Sequence, residues 1–339
     1  MTFPDPASGG PHPQPATTPA GYPTYPSPPI PPMVRPGAYG SYQAAAGYPP
    51  YPPPYSYGFP QDPSDPLVTA IGEGFSGWWR RLRGVATRSW RAILALAAVG
   101  WLIPIVVVGL IVFGVFAAAI HDGDPGSGII GGVVLAVIGV LGWVFLQAAV
   151  MIGILWTVTR HANAQPAPLR QALAYGSRRA FPVIGWQLLT GLVVTAGICA
   201  CVLPGLYFMV ATTLVVPIAV FQRGTNPISE SFAMVNRNFG AVLGRTALLY
   251  APILAFQFLG QVVQFATMST DLPDANATAP SAMSLQLPSG IVVYLIVVYL
   301  FEIAWQAVMV VGNMLTYAEM RARISPTTTA TLTAELDRY

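Results

Sequence analysis

Residues 180–222 read AFPVIGWQLLTGLVVTAGICACVLPGLYFMVATTLVVPIAVFQ, 43 consecutive positions without a charged side chain. As one helix this stretch would run about 65 Å, twice the roughly 30 Å of a bilayer's hydrocarbon core. It has to turn, and Pro204-Gly205 supplies turn residues near its middle. The halves, about 183–203 and 206–222, then read as two spans. Charge decides between this hairpin and a single crossing with a long overhang. Arg170, Arg178 and Arg179 precede the pair, and Arg223, Arg237 and Arg245 follow it. A hairpin leaves both groups on one side of the membrane, whereas a single crossing would divide them.

The same reading extends in both directions. Residues 92–120 are 29 uncharged apolar positions, about 43 Å as a helix and enough to cross with tilt. A polar turn at His121-Asp122-Gly123-Asp124-Pro125-Gly126 leads to a second span at about 129–157. Residues 246–268 and 290–317 give the fifth and sixth, joined by a Pro- and Ala-bearing loop at 269–289. The expected fold is an all-α polytopic membrane protein with a domain over 92–320, six transmembrane helices forming three hairpins. Composition agrees: 9% of the 339 residues are charged, 54% are hydrophobic and the mean hydropathy is +0.56, which excludes a soluble cytosolic enzyme.

All 16 basic residues are arginines. Arg80, Arg81, Arg83, Arg88 and Arg91 precede the first span, Arg160 joins the six already named between hairpins, and Arg321, Arg323 and Arg338 follow the last span. With Arg35 set aside, 15 arginines fall on one side and none on the other. This distribution predicts a multi-pass protein of the inner, cytoplasmic membrane with both termini in the cytoplasm. The formal charge of +3 describes that topology, so the lipid bilayer is the expected partner and nucleic acid is not. The first long apolar run begins near residue 92, too far along for a cleavable secretory signal, and is expected to stay in the bilayer.

Residues 1–66 carry 21 of the 34 prolines and 8 of the 15 tyrosines in loose Tyr/Pro/Gly repeats. They are expected to form a disordered cytoplasmic tail of polyproline-II character. Pro52, Pro53 and Tyr55 fit a PPxY pattern. Protein partners docking there are the alternative to a flexible spacer. Residues 321–339 read as a short C-terminal tail on the same side.

A unit recurs ahead of the hairpins. Pro168-Leu169-Arg170-Gln171-Ala172-Leu173 leads to Arg178, Val183, Ile184 and Gly185, and Pro227-Ile228-Ser229-Glu230-Ser231-Phe232 leads to Arg237, Val242, Leu243 and Gly244 at the same spacing. Pro66-Leu67-Val68-Thr69-Ala70-Ile71 is a fainter copy. Proline suits a helix's first turn, where its missing donor would be unpaired anyway. Leu67, Ile71, Phe75, Trp78, Leu82 and Val85 make one stripe, with Arg80, Arg81 and Arg83 mostly off it. An amphipathic interfacial helix over 67–91 is therefore expected, and with it a cytoplasmic-face helix before every hairpin. Such repeats occur in transporters and in passive scaffolds alike.

Pro66 to Arg91, the Leu203-Pro204-Gly205-Leu206-Tyr207 turn, and Pro227 through Arg245 with Ser229-Glu230-Ser231 and Asn236-Arg237-Asn238-Phe239 carry a resemblance. Over roughly 66–320 the chain resembles bacterial, actinobacterial-type membrane proteins of the glycerophosphoryl diester phosphodiesterase membrane domain family. The resemblance implies an integral membrane protein with a link to lipid or envelope metabolism. The soluble catalytic barrel of the proteins that name the family has no counterpart here, so no catalytic residue is carried over.

Chemistry is sparse. The three histidines are His12, His121 and His161. The trio His121, Asp122 and Asp124 reads as a polar turn rather than a cation site. Cys199 and Cys201 lie about 200 degrees apart on a helix and read as small buried side chains. No catalytic, cofactor or metal site is expected, because no nucleotide loop, nucleophile elbow or zinc-protease motif is present. Gly240 with Gly244, and Ala149 with Gly153, are spaced for close helix packing. One constellation stands out. Gln257, Gln261 and Gln264 form a stripe on the fifth span, and Glu302, Gln306 and Asn313 form one on the sixth. In an antiparallel hairpin Gln257 and Gln261 reach the depth of Glu302. Turned to lipid these groups would go unpaired at a cost of about 2 kcal/mol or more, so both stripes are expected to face the bundle interior. The leading reading is a non-catalytic scaffold or assembly component of the cell envelope. The alternative is a transporter or lipid-handling protein with a polar path around Glu302, and the two differ in whether Glu302 borders a packed centre or a cavity.

Overall fold

The computed structural model describes residues 61–122, 125–268 and 289–338. The tail pattern at Pro52–Tyr55, most of the 269–289 loop and Asp124 lie outside these residues. The described chain is all α-helical, and six of its segments are long and apolar enough to cross a membrane: Gly74–Ile111, Gly131–Ala162, Leu169–Ala200, Val202–Phe221, Phe239–Val262 and Ile296–Ala322. The protein is a polytopic membrane protein.

The first helix, α1 (Gly74–Asp122), corrects the expected 67–91 segment at both ends. Residues 61–73 are not helical, because the Asp65 carboxylate accepts from the backbone N–H groups of Leu67 (2.9 Å) and Val68 (2.7 Å) and folds a turn. Gly72 then takes φ +99, which a helix cannot continue through. Past residue 91 no break occurs, so the amphipathic segment and the first span are one helix. Its stripe is only partly interfacial: Leu67, Trp78, Leu82 and Val85 are buried in the protein core, while Ile71 and Phe75 are exposed. Arg81 is buried too, donating to the Glu73 carboxylate and to the backbone carbonyls of Asp65 (3.1 Å) and Pro63 (3.1 Å).

Pro104 sits inside α1 and cannot donate to the carbonyl four residues back, Gly100. Gln147 on α2 (Pro125–Ala162) replaces that donor, its Nε2 reaching Gly100 O at 3.1 Å. Helix α2 in turn packs on α3 (Leu169–Ala200) through small residues. A β-carbon at Gly176 would sit inside the Ala149 backbone carbonyl, and one at Gly153 would lie 3.1 Å from the Ala172 carbonyl oxygen. Ala149 and Gly153 thus serve close packing as expected. Gly240 and Gly244 do not, since no neighbouring atom among the described residues stands within 4 Å of their β-positions.

The 180–222 stretch turns at Cys201, which is extended (φ −172, ψ 149), and Pro204 falls in the first turn of α4 (Val202–Ala211). Cys199 and Cys201 are exposed free thiols, contrary to their reading as buried. The fourth span is itself discontinuous, with α5 (Val215–Phe221) following a non-helical Thr212–Leu214. Pro217 explains the break, because it has no N–H for the Thr213 carbonyl and its ring crowds that group. At the end of α4, Thr212 Oγ1 donates to Phe208 O at 2.7 Å and Thr213 Oγ1 to Val210 O, adding side-chain donors to carbonyls that also accept the Thr212 and Thr213 backbone N–H groups.

The repeat gives two different outcomes. Helix α3 runs unbroken through its copy, whereas α6 (Pro227–Arg237) stops at Asn238 before α7 (Phe239–Met268) begins. Ser231 Oγ donates to Ala211 O at 2.6 Å, which docks α6 against the fourth span. Helix α8 (Ser289–Ala322) supplies the sixth span. The expected C-terminal tail is a packed helix, α9 (Thr329–Asp337), with Leu332 and Leu336 buried.

Candidate functional site

A cavity of about 570 Å³ lies among the six spans. Helix α8 provides its polar wall, since Glu302, Gln306 and Asn313 fall at i, i+4 and i+11 and so share one face. Opposite stand Gln187 and Thr190 of α3, Tyr250 of α7, and Thr212 and Thr213 from the break in span four. Met151, Met209 and Met309 are among the apolar lining. The broken span therefore borders the cavity, which agrees with the rule that irregular backbone at membrane depth is tolerated where it lines a cavity or is buried in protein.

The two predicted stripes meet at one point. Gln257 Nε2 donates to Glu302 Oε1 at 2.9 Å, the depth match expected of the hairpin. The rest of the α7 stripe does not face the interior. Gln257 itself is exposed and reaches Glu302 at the cavity's margin, and Gln261, a turn further on, is exposed as well. The side chain of Gln264 lies outside the described residues. Tyr250 and Ile253 are the α7 residues that line the cavity itself. All three α8 residues border the cavity and are half-buried.

Gln306 has a partner that the sequence did not suggest. Trp101 Nε1 donates to its Oε1, fixing which amide atom faces α1. The indole is held edge-on by Trp143 (5.7 Å, 64°) and Tyr299 (5.2 Å, 88°). Its signal was available: Trp101 lies ten residues past Arg91, deeper than an interface anchor. Trp305 donates to Leu249 O at 2.6 Å and ties α8 to α7 three residues before Pro252.

A second polar group sits near the arginine-bearing ends of α7 and α8. The guanidinium of Arg245 lies 2.8 and 2.7 Å from the two oxygens of Glu319, and both side chains are 4% exposed. Arg323 donates to Glu319 (2.9 Å) and to Asn238 Oδ1 (2.6 Å). Sequence reasoning assigned these arginines to topology alone and passed over Glu319. Among the described residues no three His, Cys, Asp or Glu side chains are placed to hold a metal ion. The side chains of His121 and Asp122 are outside that description. Comparisons with protein-family models, curated proteins and solved structures find no match to this chain.

Proposed function

We propose that this chain is a non-catalytic lipid-handling or transport protein of the cytoplasmic membrane, with both termini in the cytoplasm. An amphipathic ligand occupies the central cavity, its polar part on Glu302, Gln306 and Asn313. The cavity carries this reading. It borders Glu302, where a passive helix bundle would be packed, and its volume of about 570 Å³ falls within the roughly 300–1,000 Å³ of small-molecule sites. Its mixture of methionine and valine walls with one polar face suits a molecule that is apolar along most of its length.

The scaffold reading keeps one observation of its own. Residues 61–73 and helix α9 meet at the arginine-bearing end, where the Asp65 carboxylate accepts from the Thr329 N–H and hydroxyl, and a protein partner would dock on the surface they share. Kinship with the glycerophosphoryl diester phosphodiesterase membrane domain family is also proposed. What supports it is that two segments carrying the resemblance meet, Tyr207 OH donating to Asn236 Oδ1 at 2.8 Å.

The test is translocation of a fluorescent phospholipid in proteoliposomes, read by chemical quenching of the outer leaflet. The full chain should accelerate translocation over empty vesicles, and Asn313→Leu should slow it while preserving thermal stability. Unchanged translocation, with no lipid copurifying beyond the annular shell, would return the assignment to the scaffold.

A further inference from the structure

We infer that a second site, at the arginine-bearing end between α3 and the α5–α6 turn, binds the phosphate of an anionic phospholipid headgroup. It is separate from the central cavity and does not depend on the function proposed for it. The pocket has a volume of about 350 Å³. Arg178 and Arg179 enter it from α3, Arg223 from the turn after α5, and no carboxylate is among the described residues that line it. Of the α9 acids, Glu335 takes both terminal nitrogens of Arg321 (2.6 and 2.5 Å) and Asp337 pairs with Arg160 at 2.5 Å.

Arg178 and Arg179 are neighbours on α3 and both border the pocket, so an anion placed there offsets the repulsion between them. Arg179 adds a more specific sign. Its guanidinium stacks over Tyr175 at 3.9 Å, and its Nη2 makes only a long contact to Leu336 O, 3.4 Å. Its Nη1 is buried with no hydrogen-bond partner among the described residues. A buried guanidinium N–H of this kind calls for an acceptor. Planar, forked donors match phosphate oxygens better than a point charge does. Gln222 and Thr225 border the same space and can donate to further oxygens.

The remainder of the wall selects a lipid over a free anion. Pro182 and Trp186 continue the α3 face at i+4 and i+8 from Arg178, and Val183, Ala219 and Val220 flank them. The pocket therefore passes from cationic to apolar along the direction in which α3 becomes a span. A headgroup at one end would lay the start of its acyl chains along the other, the arrangement of basic pockets between transmembrane helices that hold anionic lipids.

The test uses the full chain in detergent. Native mass spectrometry measures apparent affinity for phosphatidylglycerol and for phosphatidylcholine, with inorganic phosphate as a competitor. Arg178→Gln with Arg223→Gln removes two exposed cations and leaves the half-buried Arg179 packed. This pair should weaken phosphatidylglycerol binding roughly tenfold or more. Arg83→Gln with Arg91→Gln, also exposed and of equal charge, should leave it unchanged. Equal affinity for the two lipids, or equal loss in the control pair, overturns the proposal. Complete displacement of the lipid by inorganic phosphate overturns its assignment to a headgroup.

Discussion

Glu302 and Glu319 lie on one helix and do opposite things. Glu319 is enclosed, with guanidiniums on both sides, and removing one member of a buried ion pair strands the others in a poor solvent. Glu319→Leu is therefore expected to destabilise the protein by about 3 kcal/mol or more in lipid nanodiscs, since Arg245 would be left buried without a counter-charge. A loss under about 1 kcal/mol would show that water reaches Arg245. Glu302 borders the cavity and accepts from Gln257. Glu302→Gln retains an acceptor for Gln257, so its melting temperature should match that of the parent. Glu302→Leu leaves the Gln257 amide without its acceptor and should cost on the order of 1 kcal/mol. Equal destabilisation by both would mean that Glu302 requires its charge. The residue-level contrast was half legible in the sequence. An acid deep in an apolar run advertises itself, as Glu302 did. Glu319 lay beyond the expected span, among Arg321 and Arg323, where a short-range reading finds ordinary interfacial charge and cannot see Arg245 arriving from 74 residues away.

Between elements, proline decides where these helices stay whole. Pro104 leaves α1 intact because Gln147 from α2 donates to the carbonyl it abandons, whereas no side chain among the described residues does this for Pro217 and span four breaks ahead of it. Gln147→Leu should thus cost about 1–2 kcal/mol in the parent, the penalty for a buried unpaired carbonyl. In a Pro104→Ala background the restored backbone donor should remove most of that cost. A thermal-unfolding double-mutant cycle reads the coupling, and additive losses would mean that Gln147 acts only by packing. The segment before α1 is held differently, by charge. Burial pushes the Glu73 carboxyl up, but the Arg81 hydrogen bond and charge, with Arg80, outweigh it and hold the group below its usual range. A carboxylate lowered in the folded state contributes stability above its unfolded pKa and loses it as pH falls through the folded value. Hydrogen exchange at residues 61–73 should therefore speed up below the ordinary carboxylate range, and Glu73→Gln should flatten that dependence. Spans, hairpins and the close contact of Ala149 and Gly153 were readable because each follows from local composition. The start of α1 was not, because Asp65 turns the chain for the sake of distant partners: its carboxylate also accepts from the Thr329 backbone N–H (2.8 Å) and hydroxyl (2.6 Å).

At the scale of the whole molecule, those contacts join the two ends of the described chain. Gln61 Nε2 donates to Ala322 O at 2.9 Å, Asp65 caps Thr329, and α9 reaches Arg160 and Arg179 through Asp337 and Leu336. Residues at both ends of the described chain thus share one face with the arginines that the sequence places on one side. This arrangement requires an even number of crossings between residue 73 and residue 323. The topology can be read by thiol labelling, but first the native thiols have to go, because Cys199 and Cys201 are exposed. In a Cys199→Ala/Cys201→Ala background, single cysteines at Ser127 and Ala277 should react with a membrane-impermeant reagent in intact cells. A cysteine at Gln171, exposed at the arginine-bearing start of α3, should react only after permeabilisation. Labelling of Gln171→Cys from outside would invert the molecule. Protection of Ala277→Cys before permeabilisation and its labelling afterwards would instead place the loop between α7 and α8 inside. The last two helices would then not cross, and the cavity bounded by Tyr250 and Glu302 would have to be reassigned to an interfacial groove.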